Sequence, residues 1–224
     1  MSQIYEVKDP QDPYEPLKGW IDIEVRDREG KVVQKGRHKM HSFTNNFLAV
    51  LLTMLSSAGG ATSTTGSVTG DSGSATTIYG SLISGGNGFG GTPIALNAPA
   101  GTDSFGILVG SGTTAFSLTQ FSLATKISNG TGSGQMSYGI SSVTDLGVNT
   151  SVSPPVYQIQ IVRAFSNLTS SAITINEVGL EAKNYWAATV NVNFLIARDI
   201  LSTSYSVPPN GSATVAITIG VTVG

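Results

Sequence analysis

A chain of 224 residues is long enough for one large β-sandwich or two small ones, and its lack of cysteine excludes a disulfide framework and any thiolate metal site. Charged residues make up 12% of it, against about 25% in ordinary soluble domains, and a net charge of −2 argues against polyanion binding and against electrostatic attraction to membranes. The charge is also sorted: residues 1–41 hold 16 of the 26 charged side chains, and only Asp71, Asp103, Lys126 and Asp145 fall between Ser42 and Val162.

Residues 1–18 read as an extended arm, because Pro10, Pro13 and Pro16 bias the backbone away from helix. A hairpin follows. Ile21, Ile23 and Val25 alternate with Asp22 and Glu24 at the period of a half-buried strand, Arg26–Gly30 supplies the turn, and Lys31–Lys35 the return. One short helix is predicted over about 44–55, where Phe43, Phe47, Leu51 and Leu55 recur every fourth residue; Ser42 or Thr44 can cap it, and Gly59-Gly60 ends it. The Gly/Ser/Thr-rich stretch 56–104 is too long for a structureless loop in a compact domain, so some strand content is expected there.

Strand signals strengthen from Phe105. Apolar or alternating runs cover 105–109, 156–165, 172–182, 190–196 and 215–223, with turns at Asn129-Gly130, Pro154-Pro155, Asn167–Ser171 and Pro208–Gly211. Strands spaced this way predict an all-β, jelly-roll-like antiparallel sandwich. The chain divides on this reading into an arm and hairpin, 1–41, and a sandwich body, 42–224, which carries the helix and the segment 56–104.

Equipment for catalysis is sparse. His38 and His41 are the only histidines, and the spacing reads best as a polar segment entering the helix. Glu177 and Glu181 fall on one face of a predicted strand, where two acids usually mark an exposed strand end rather than a glycosidase pair. Residues 85–91 lack the Lys-Ser/Thr of a phosphate loop. Asp71 and Asp103 lack the alternating acids of a calcium loop. Cations between Arg26 and Lys39 are interleaved with acids, which is not a nucleic-acid footprint. The expectation is therefore a non-enzyme without cofactor or metal. The sequons at Asn129, Asn149, Asn167 and Asn210 are about as many as chance gives in so Ser/Thr-rich a chain. Arg163, Glu177, Arg198 and Asp199 are candidates for a partly buried charge network that sets strand register. Tyr79, Phe89, Tyr185 and Trp186 are candidates for stacking on sugar rings.

The neutral body fits two readings: a surface covered by other subunits, or one built for acid. Only six carboxylates follow residue 41, so little stability is lost there as carboxylates gain protons.

Five segments occur in order: FGILVGSGTTAFSLTQFSLATKI (105–127), GSGQMSYG (132–139), INEVGLEA (175–182), FLIARDIL (194–201) and the closing SVPPNGSATVAITIGVTV (206–223). This series resembles a β-sandwich family common among structural proteins of viruses that infect archaea and bacteria. The likeness spans roughly 105–223, and a hairpin and helix ahead of such a body fit it too. It implies a virion location and partners among copies of itself and other virion proteins. The low-charge body is similar to surface proteins of viruses from hot acidic habitats, including turreted icosahedral ones, which implies a vertex or turret subunit. A tail or fibre subunit, or a module that binds a host receptor or glycan, is the alternative.

Overall fold

The computed structural model describes residues 3–5, 17–40, 42–55, 64–80, 94–186 and 190–222. These form twelve strands and one helix: β1 (Gln3–Tyr5), β2 (Leu17–Arg26), β3 (Val32–Met40), α1 (Asn45–Leu55), β4 (Thr64–Thr69), β5 (Ala75–Gly80), β6 (Ile94–Ala95), β7 (Gly106–Gly110), β8 (Ser137–Asn149), β9 (Val156–Ser166), β10 (Ile173–Trp186), β11 (Val190–Val207) and β12 (Ser212–Thr222). The all-β sandwich expected from the strand spacing is present.

One sheet runs β1-β3-β2-β12-β9-β8, and a second runs β11-β10, with β7 and β6 both along the far edge of β10; β4 and β5 form a separate hairpin. All pairs are antiparallel except β1 with β3. The hairpin β2–β3 is not a separate unit ahead of the body. β2 pairs along its whole length with β12, so the border in charge at residue 41 crosses the sheet rather than separating two. Its turn closes where expected: Gly30 takes φ +79°, the left-handed region that glycine enters freely, and the Asp27 carboxylate accepts from the Glu29 and Lys31 amides. Of the proposed arm, residues 3–5 lie beside β3, and residues 6–16 lie outside the described set.

Alternation explains the core. Ile21, Ile23 and Val25 from β2, Ile161 and Phe165 from β9, and Ala213, Val215 and Ile217 from β12 meet Ile175, Val178 and Leu180 from β10 in one buried cluster. The second sheet is buried on both faces, with Phe194 through Asp199 of β11 all inside. Its outer face lies under α1 and the loop 111–126.

The helix is tied down by side chains rather than capped by them. Thr44 Oγ1 donates to the Leu195 carbonyl at 2.7 Å instead of accepting from the first helical turn. Asn46 donates to the Leu195 and Thr69 carbonyls and accepts from the Thr69 amide. Thr53 lies so close to β4 that a Cβ at Gly66 would fall 1.8 Å from its hydroxyl.

Candidate functional site

Five of the ten charges of the body are inside: Arg163, Glu177, Glu181, Arg198 and Asp199. Glu177 on β10 and Arg198 on β11 are fully buried, and Arg198 Nε meets Glu177 Oε2 at 2.5 Å. The rest of the carboxylate accepts backbone amides from Gly112, Ala124 and Thr125 at 2.8–3.1 Å. The rest of the guanidinium donates to Gln120 Oε1 and the Thr114 carbonyl. A buried ion pair is tolerable only when its remaining hydrogen-bonding positions are filled, and here a coil with no sheet ladder of its own fills them. The pair therefore holds the loop 111–126 onto the second sheet.

Arg163 belongs elsewhere. It too is fully buried, yet it donates to backbone carbonyls: Gly139 through Nε, Phe105 and Ile107 through Nη1, and Pro99 and Thr102 through Nη2. The Tyr138 ring lies 4.7 Å beneath it. Burial pulls its pKa down to about 10, so it stays cationic at neutral pH while pinning the segment 99–107. Asp199 also departs from the expected network. Successive strand residues face opposite sides, so Arg198 turns to the loop. Asp199, paired in register with Val178, lies on the side where its charge acts on His38. The expected four-residue network is thus a Glu177–Arg198 pair, with Arg163 and Asp199 in other surroundings.

His38 sits on β3, not in a segment entering the helix, and is buried against β11. Its ring nitrogens lie 3.0 Å from Ser202 Oγ and 2.7 Å from Tyr205 Oη. Burial lowers its pKa, partly opposed by Asp199 and Asp22, so it is a neutral strut between the sheets. His41 lies outside the described residues. Glu177 and Glu181 do share a side of β10, as its unbroken register with β7 requires. They act separately, with Gly179 between them and Leu123 packed over it. Glu181 is buried with Oε1 unpartnered, and burial, reinforced by Asp71 and Asp103 against Lys126, pushes its pKa up to about 8. It is protonated at neutral pH.

Of the sequon asparagines, Asn167 has a structural task. Its fully buried amide donates to the Ser171, Val207 and Pro208 carbonyls and its oxygen accepts from Thr169. It thereby joins the two crossovers between the sheets, β9 to β10 and β11 to β12, and offers no nitrogen for a glycan in the folded chain. Among the proposed sugar-stacking residues, Phe89 and the side chains of Tyr79, Tyr185 and Trp186 lie outside the described set. Among the described residues no group of three or more His, Asp or Glu could hold a metal ion, and no helix is long and apolar enough to cross a membrane.

The surface carries the remaining information. At one end of the six-stranded sheet, charges pair across β2 and β3, Arg37 with Asp22 at 2.7 Å and Lys35 with Glu24, and Arg26 joins Glu24 along β2. Toward the other end, the face that forms the core runs out from under the second sheet. Ile217 and Ile161 are 1% and 0% exposed. Four residues along the same face, Val221 and Tyr157 are 48% and 40% exposed, with Val148 beside them at 51%. A second uncovered surface is the outer face of α1, where Leu48 and Leu52 are 64% and 68% exposed and Leu51 lies beside them. Leu118, also exposed, abuts the start of the helix, its carbonyl accepting from the Asn45 amide. No family model, curated protein or solved structure matches this chain.

Proposed function

We propose that this chain is a structural subunit of a virus particle, assembling with copies of itself as a ring at a vertex or turret. The observation that carries the reading is the uncovered end of the sandwich's own core face, Tyr157, Val148 and Val221, on a body with little surface charge. An apolar face left open on a neutral surface favours association with another protein surface. The ordered segments from Phe105 to the closing strand support the virion assignment, through their resemblance to particle proteins.

The buried groups fit the same task. Glu177–Arg198 and Arg163 tie down the loop 111–126 and the segment 99–107 without spending surface charge, which keeps the outside available for packing. Glu181 favours a working environment that is acidic. Its folded pKa of about 8 lies above its unfolded value near 4.5, so its contribution to stability is full below about pH 4.5 and is lost as pH rises through 8.

Electron microscopy of the purified chain, with and without residues 1–16, tests the proposal. We expect closed rings from the full chain. The truncated chain keeps Leu17, Val148, Tyr157, Val221 and α1, so it should remain folded and form the same rings. A full chain that stays as dispersed single subunits at every concentration would overturn the assignment.

A further inference from the structure

Resting on the assembly reading, we propose that the α1 leucine face of one copy covers the open end of the six-stranded sheet of the next. Each surface has the shape that the other lacks. The sheet end is a cross-strand row, Val148, Tyr157, Val221 and Leu17, set side by side by the strand registers. Four strands stand about 14 Å across. The helix has 11 residues and is therefore about 16 Å long, with Leu48, Leu51 and Leu52 along its outer side.

A helix that is apolar all round belongs in an interior. Among the described residues α1 is covered on one side: Asn46, Val50 and Thr53 are buried against β4 and β11 while Leu48, Leu51 and Leu52 stay exposed. Laying a helix on the apolar face of a sheet is a standard way for both to leave water.

The charge pattern favours a copy of the same chain over a lipid surface. No lysine or arginine occurs from residue 40 to residue 125, so nothing flanking the helix attracts anionic headgroups. Among the described residues on this face, the charge beside the row is Asp145, whose carboxylate already accepts from the Tyr157 hydroxyl at 2.5 Å. A helix-to-sheet contact joins two different surfaces, so it is head-to-tail and propagates into a ring when the rotation closes. A helix-to-helix contact would stop at a pair.

The chain contains no cysteine, which makes cross-linking a clean test. Leu52→Cys in one preparation is mixed under mild oxidation with Val221→Cys, or with Val148→Cys, in another. We expect disulfide-linked heterodimers from at least one mixture, in at least tenfold excess over links within either preparation alone. Prevalent Leu52→Cys homodimers, or no link with either partner while the wild-type chain is oligomeric, would overturn this contact and leave the assembly reading standing. A wild-type chain that remains at 23.1 kDa would overturn both.

Two charge variants supply a second readout. Leu48→Glu/Leu52→Glu and Val148→Glu/Val221→Glu should each be monomeric with unchanged circular dichroism. Mixed, they should form dimers through the one intact pair of faces. Normal assembly by either variant alone would contradict the contact, as would a mixture that stays monomeric.

Discussion

Two arginine–carboxylate pairs of nearly equal length sit in opposite surroundings. Arg37–Asp22 spans the outer face of β2 and β3 at 2.7 Å, with the arginine side chain 60% exposed. Arg198–Glu177 spans β10 and β11 at 2.5 Å with no exposure at all. The first is one of several mutually neutralising pairs on a hairpin rich in charge. The second uses nearly the only charges its region has, and uses them to fasten a loop. The difference teaches that the division in charge along the chain is a division of labour. Where charges are many, they solvate a sheet face; where they are few, they hold coils in place and leave the outside neutral.

The contrast breaks most visibly at the buried pair. Arg198→Met leaves Glu177 buried and uncompensated, and we expect a loss of about 3–5 kcal/mol in urea unfolding. The loop 111–126 should then exchange its amide protons much faster than the rest of the chain. A loss below 1 kcal/mol would mean that the pair organises nothing. Arg163→Met removes a cation that has carbonyl partners only, and we expect about 3 kcal/mol from the unpaired carbonyls left behind.

The buried acid sharpens the comparison through pH. Wild-type stability should fall from pH 5 to pH 8 relative to Glu181→Gln by about 3 kcal/mol, because the unfolded carboxyl releases its proton near 4.5 while the folded one holds it to about 8. His38 opposes this at the acid side: its lowered pKa means that the unfolded state gains a proton first as pH falls below 6.5. Parallel curves for wild type and Glu181→Gln would show that Glu181 is not protonated in the fold. The smallest effect belongs to the exposed pair. Arg37→Met should cost less than about 1 kcal/mol, and salt should abolish most of that.

Much of the fold was legible because alternation is a local signal. Ile21, Ile23 and Val25, or Val215 and Ile217, mark a core face wherever the strand goes. β8 was not legible. It is an edge strand whose ladder with β9 shifts register twice, between Tyr138 and Ser141 and between Asp145 and Gly147, so its apolar residues lose the period of two. Strand order was equally hidden, since spacing counts strands without saying that β12 inserts between β2 and β9. Of the charge network, Glu177 and Arg198 could be guessed as isolated charges in apolar strands. That Arg163 would be satisfied by carbonyls alone depends on where residues 99–107 and 139 fall, which no local pattern encodes. His38 was misread because its partners, Ser202 and Tyr205, are more than 160 residues away.

Sedimentation equilibrium of the purified chain across a range of salt concentrations bears most directly on the claim that the neutral body packs against itself through its open apolar faces. We expect a mass that is a fixed multiple of 23.1 kDa and that holds or grows as salt is raised, since apolar contacts are not screened. A mass that stays at one subunit, or an assembly that falls apart as salt is raised, would contradict it.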